Sequence, residues 1–201
     1  PEPADLLRDA DVAMYEAKQR GRGRVEIFDD RLRAAVQERH EARDELRHGI
    51  EADEIHAYYQ PIVALPTGRV VGFEALARWH NPARGILGAV DFIDVAEDSG
   101  LVVPLGTEVL RQASRQVARW RATHPDLYLA VNVSSAQFAD PAFLGTVAAV
   151  LAETGLAPDA LWLEITESSL MADAEAAREV FTRVRRLGVR IAVDDFGTGY
   201  S

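Results

Sequence analysis

Four segments of this 201-residue sequence run apolar and then deliver an acid or an amide. Leu127-Tyr-Leu-Ala-Val131 leads into Asn132, and Leu161-Trp-Leu163 leads into Glu164. Ile191-Ala-Val193 leads into Asp194 and Asp195, and Val70-Val-Gly-Phe73 leads into Glu74. Asn132, Glu164 and Asp194 are 32 and 30 positions apart, about the length of one strand-plus-helix unit. In a parallel α/β sheet or barrel, that spacing brings the strand ends to one face, where active sites gather. Carboxylates gathered on a poorly solvated floor repel one another and hold their protons more tightly unless a cation compensates. An all-oxygen donor set without Cys or His suits Mg²⁺ or Mn²⁺ better than zinc. Adjacent Asp194 and Asp195 can together serve two ions, which two-metal phosphoesterases hold about 3.5–4 Å apart. Taken singly, each acid could instead cap a helix or bond a loop. The strand context shared by all four favours the cluster.

The elements that must position these residues follow from periodicity. Residues 56–65 read as a strand ending in a Pro66-Thr67-Gly68 turn, and 69–79 as its antiparallel partner. Helices are expected over 90–97, 105–123, 141–153 and 174–187, with strands at 127–133, 161–166 and 190–194 between the later ones. From Leu127 onward this is a strand–helix alternation, which predicts a parallel sheet or barrel.

The first 28 residues have a different texture. Leu6, Leu7, Ala10, Ala13, Met14 and Ala17 recur at helical spacing until Gly21 and Gly23, and Val25, Ile27 and Phe28 suggest a short strand. One helix and one strand cannot enclose a core, so this segment reads as the tail of a preceding domain. Gly21-Arg-Gly-Arg24 follows a helix and precedes a strand, the reverse of the order a phosphate loop needs, and reads as a turn. Residues 29–50 carry dense charge of both signs and sparse apolar points at Leu32, Val36, Leu46 and Ile50. They form a solvated connector helix.

Composition narrows the function. The sequence is 48% hydrophobic and 27% charged, with a net charge of -10 that argues against a nonspecific grip on nucleic acid. A small phosphorylated ligand remains compatible, since divalent ions carry acidic residues to phosphate. Zero cysteines exclude disulfides, thiolate zinc sites and a cysteine nucleophile. No run approaches the roughly 18 apolar residues of a membrane span, and the N-terminus has no basic-then-apolar leader. Lys18 is the single lysine.

Glu74-Ala75-Leu76, in the setting Gly72-Phe-Glu-Ala-Leu-Ala-Arg-Trp79, resembles the signature of EAL domains, bacterial phosphodiesterases of cyclic di-GMP. The resemblance extends through Tyr59-Gln60-Pro61-Ile62, Val131-Asn-Val-Ser134, Glu164-Ile-Thr-Glu167 and Asp194-Asp-Phe-Gly-Thr-Gly-Tyr-Ser201, and covers residues 51–201. Ala10-Asp-Val-Ala-Met-Tyr-Glu-Ala-Lys18 through Phe28 resembles the last helix and strand of a GGDEF domain. The implied organisation is residues 1–28 as the GGDEF remnant, 29–50 as the linker helix and 51–201 as the first part of an EAL domain. The implied fold is an α/β, TIM-like (β/α) barrel with an antiparallel first strand, incomplete at its C-terminal side and supplying about five of the eight strands.

The resemblance also implies roles. Glu74, Asn132, Glu164, Asp194 and Asp195 would hold two Mg²⁺ or Mn²⁺ ions, with Glu74, Asp194 and Asp195 nearest the chemistry. Arg78 would contact a phosphate of the ligand, and its planar fork suits two oxygens at once. Gln60 and Leu76 would border the ligand, and Glu167 would hold the loop after the Asp194-Asp195 strand. The implied reaction is hydrolysis of cyclic di-GMP to linear pGpG. The alternative is a cyclic di-GMP receptor that has lost turnover. Ile93-Asp94-Val95 departs from the family, which usually has a proline in the middle. Family members also continue beyond the Asp194–Ser201 loop with a lysine and a further glutamate that serve the reaction. The expectation is therefore that residues 1–201 alone are not a competent phosphodiesterase. An uncovered strand edge at 190–193 would be closed by further strand–helix units or by homodimerisation. The expected location is cytoplasmic, with any membrane tether outside this segment.

Overall fold

In a computed structural model, the residues described are 28–166 and 174–194, with Ala10, Ala13, Met14 and Val25. The expected glycine turn at 21–24 lies outside them, as do Glu167 and Asp195. The chain divides into two units, Pro1–Glu45 and Leu46–Ser201. Helix α1 (Asp30–Glu51) begins in the first unit, where the Asp29 carboxylate accepts from the Leu32 amide at 2.7 Å and caps it. A Gln37–Glu41 side-chain hydrogen bond of 2.8 Å, one turn apart, supports its polar surface.

The second unit is built on a six-stranded mixed sheet. Its strands are β1 (Ile55–Ala64), β2 (Arg69–Asn81), β3 (Gly85–Gly88), β4 (Tyr128–Asn132), β5 (Leu161–Thr166) and β6 (Arg190–Asp194). The order is β1-β2-β4-β5-β6, with β3 hairpinned onto β2. β1 and β3 lie antiparallel to β2, whereas β2, β4, β5 and β6 run parallel, as the strand–helix alternation requires. Among the described residues β1 and β6 end the order, and no strand joins them.

Alternation along the strands separates two faces. Ala75, Trp79, Leu129, Val131, Leu161, Leu163 and Ile165 are buried on one face. Helices α2 (Ile93–Ser99), α3 (Val102–Arg121), α4 (Ser135–Ala139), α5 (Phe143–Thr154) and α6 (Ala174–Arg186) belong to the same unit. Val109, Ala113 and Val117 of α3, Val147 and Val150 of α5 and Val184 of α6 complete this core. The opposite face of the sheet carries the polar residues of interest. The Gln112 side chain of α3 donates to the Ile55 carbonyl at 2.8 Å and accepts from the Ala57 amide at 3.0 Å. It thus satisfies backbone groups of β1 that no strand among the described residues takes up. No described helix is long and apolar enough to cross a membrane.

The structure amends several expected boundaries. The helix expected at 90–97 is a 3₁₀ turn (Ala89–Asp91) followed by α2, because Phe92 between them is buried and edge-on to Trp79. Helix α3 starts three residues earlier than expected, with Pro104 in its first turn, where a missing amide costs nothing. β2 continues to Asn81, two residues beyond the expected end at Trp79, with Glu74 near its middle. β3 and α4 were not expected. α4 is set by a reciprocal cap between Ser134 and Gln137.

Gly72 shows how closely β2 and β4 approach. A Cβ there would lie 2.8 Å from the Tyr128 carbonyl oxygen and 2.9 Å from its ring. Gly72→Ala is expected to destabilise the protein by about 1–3 kcal/mol through overpacking. Urea unfolding reads this, and an unchanged midpoint would mean that β4 yields without strain.

Candidate active site

The antiparallel register sets Gln60 of β1 opposite Glu74 of β2, and Tyr58 opposite Leu76. Because side chains alternate, Glu74, Leu76 and Arg78 share one face of β2. Arg78 therefore belongs to the same strand as the acid. Glu74 pairs with Ala130, two residues before Asn132, and Asn132 is level with Glu164 on β5. Thr166 pairs with Asp194, so Asp194 stands two residues beyond Glu164. Glu74, Asn132, Glu164 and Asp194 thus advance stepwise across four adjoining strands on the polar face.

A direct contact joins two of them. The Asn132 amide nitrogen donates to Glu74 Oε1 at 2.7 Å. That bond uses the nitrogen, so the amide oxygen, the atom that would meet a cation, is not engaged by it. The Glu164 carboxyl is pushed above the ordinary carboxylate range, first by burial and then by the negative charges of Glu74 and Asp194. The expectation of mutually repelling acids therefore holds at Glu164, flanked by the other two. Among the described residues, no three histidine or carboxylate groups stand together as a ready-made ion cage. The donors are nonetheless oxygens only, and Glu164 faces the negative charges of Glu74 and Asp194, which a hard divalent cation would offset. This chemistry fits a hard divalent cation.

Beneath the acids is an aromatic floor that the sequence reading missed. The rings of Tyr128 and Trp162 stack at 4.8 Å, and the Arg190 guanidinium lies 5.3 Å from the Trp162 ring. Burial, followed by the Glu164 charge, raises the Tyr128 phenol. The period-two spacing of Tyr128 with Asn132 and of Trp162 with Glu164 is the signal that would have assigned them to this face. On the side toward β1, Gln60 is exposed and Leu76 is partly covered. Arg78 donates from Nη1 to the Ala77 carbonyl at 2.8 Å, and its guanidinium carbon stands 5.8 Å from the Tyr58 ring centre. Sequence reasoning singled out neither Tyr58 nor His80, whose side chains meet here at 3.0 Å. The face brings together Gln60, Glu74, Leu76, Arg78, Asn132, Glu164 and Asp194, whereas Asp195 and Glu167 lie outside the described residues.

Comparison with known proteins points the same way. The EAL domain family matches residues 43–201. The Pseudomonas aeruginosa protein named bifunctional diguanylate cyclase/cyclic di-GMP phosphodiesterase MucR is 39% identical over 198 residues, which is 98% of this chain and 29% of that protein. The Escherichia coli cyclic di-GMP phosphodiesterase PdeR is 40% identical over 196 residues, 98% of this chain and 30% of that protein. The chain thus spans less than a third of the length of either relative. A solved structure described as the PaMucR phosphodiesterase in complex with c-di-GMP superposes with a TM-score of 0.77 at 40% identity, covering 80% of this chain and 66% of that one.

Proposed function

The chain belongs to the EAL domain family, and from that premise we propose that the protein hydrolyses one phosphodiester bond of cyclic di-GMP to give linear pGpG. The observation that carries this is the coupling of three acids on one polar face. Glu74 is bonded by Asn132, and burial together with the charges of Glu74 and Asp194 raises the Glu164 carboxyl. Two divalent ions, Mg²⁺ or Mn²⁺, would be held by Glu74, Asn132, Glu164, Asp194 and Asp195. When bound, such ions supply Lewis-acid polarisation of the phosphate and a nucleophile at neutral pH. The chain's own residues do the remaining work. Glu74 and Asn132 fix one another's orientation, which lowers the ordering cost when ligand and ions arrive. The Tyr128–Trp162 stack adds an aromatic surface to the same face as the acids. Arg78 binds a phosphate oxygen pair, and Gln60 and Leu76 border the ligand.

The organisation proposed is residues 1–28 as the end of a GGDEF domain, 29–50 as a linker helix and 51–201 as the first part of the EAL domain. Two observations support it: both named relatives match across 98% of this chain, and MucR also bears the name of a diguanylate cyclase. Because the chain spans 29% and 30% of the two named relatives, we assign turnover to a longer protein that would contain these residues.

The test is incubation of that longer protein with cyclic di-GMP and Mg²⁺ or Mn²⁺, with the products resolved. Formation of pGpG that stops on chelation supports the reading, and tight binding without product would replace it with a receptor. Arg78→Ala is expected to weaken cyclic di-GMP binding about 10- to 100-fold, the loss of a charge-assisted hydrogen-bond pair. Calorimetry reads it, and unchanged affinity would return Arg78 to a surface role.

A further inference from the structure

We infer that Tyr58 positions the Arg78 guanidinium for the ligand, and that His80 and His56 hold Tyr58 in that place. The inference rests on the proposed contact of Arg78 with a phosphate.

On an open face of a strand, an arginine spreads over many rotamers, and ordering it on binding costs affinity. Here the side chain is tethered at two points. Nη1 donates to the Ala77 carbonyl, and the guanidinium stands over the Tyr58 ring at 5.8 Å, within reach of a cation–π attraction. Such a support works only if the ring is itself fixed. The register sets His56 opposite Arg78 and Tyr58 opposite Leu76, so Tyr58 is the diagonal neighbour of Arg78. The Tyr58 hydroxyl and His80 Nε2 share a hydrogen bond of 3.0 Å. The His80 ring is edge-on to Tyr58 at 5.8 Å and packs against the His56 ring at 4.1 Å. His56 and His80 thus act on Arg78 through Tyr58. Tyr58 is also 40% exposed and lies on the polar face of the sheet, away from the helix-covered core. Core packing therefore does not explain why an aromatic stands there. The remaining guanidinium donors of Arg78 are left to pair with an anion.

The test is a double-mutant cycle in the longer protein, measuring cyclic di-GMP affinity by calorimetry and KM by steady-state turnover. Tyr58→Leu is expected to weaken binding about three- to tenfold, the range an exposed cation–π contact supports, with the loss falling more on KM than on kcat. Tyr58→Phe keeps the ring, loses the bond to His80 and should cost about twofold. In an Arg78→Ala background, Tyr58→Leu should have no further effect, a coupling that a merely structural tyrosine would not show. If Arg78→Ala weakens binding while Tyr58→Leu leaves it unchanged, or if the two losses multiply independently, the positioning role is overturned and the phosphate contact stands. If Arg78→Ala itself changes nothing, both fall.

Discussion

Replacing Glu74 by alanine is expected to lower metal-dependent hydrolysis of cyclic di-GMP about a thousandfold while the fold survives. The rate effect follows from the proposed place of Glu74 in the ion-binding set, since Lewis-acid stabilisation contributes several kcal/mol and about 4 kcal/mol is three orders of magnitude. Survival of the fold follows from where Glu74 sits. It points to the polar face, and its contact with the exposed Asn132 amide is worth about 1 kcal/mol. The neighbouring Ala75 is the residue that packs into the core. Turnover titrated with Mg²⁺, beside a melting curve, separates the two effects. Near-normal turnover at saturating Mg²⁺ would remove Glu74 from the ion site, and collapse of the melt would make its role structural.

The second large effect has opposite signs for activity and stability. Glu164→Gln is expected to cut turnover at least a hundredfold, yet to raise the melting temperature of the metal-free protein at neutral pH. Burial, then Glu74 and then Asp194 raise the Glu164 carboxyl. The folded state therefore binds more protons than the unfolded state between the ordinary carboxylate value and the raised one. Stability falls as pH rises through that window, and it stays low above it. Glutamine carries no charge and escapes this loss. The two proteins should melt alike below the ordinary carboxylate range and diverge as pH rises through the raised value. Mg²⁺ should then stabilise the native protein more than the variant. A variant that is less stable at neutral pH without metal would mean that the Glu164 charge is already compensated.

Much of this site was legible because it depends on periodicities that the sequence carries locally. The period of two along β2 is sufficient to assign Glu74, Leu76 and Arg78 to one face. The repeat of about thirty residues carries Asn132, Glu164 and Asp194 to the same side of a parallel sheet. The antiparallel first pair was likewise announced by the Pro66-Thr67-Gly68 turn. Short elements were not legible. Gly85–Gly88 has no alternation to detect, and the five-residue α4 is too brief for helical periodicity, so pairing with β2 and a local cap decide them. The end of β2 was placed too early for a related reason: its last residues are held by the β3 pairing, not by their own pattern.

Register and contact across strands belonged to the tertiary structure alone. Nothing local says that Asn132 is level with Glu164 but two residues ahead of Glu74's partner, and that offset lets the Asn132 amide reach the Glu74 carboxylate. The Tyr128–Trp162 stack and the Tyr58–His80 bond join residues far apart in sequence, through strands whose alignment is set by the helices packed behind them. The types of side chain and the face they share are written along each strand, because alternation is a property of a single extended chain. Distances between strands, and therefore the charge that Glu164 feels, depend on how separate strands slide against one another, which only burial of the common core determines.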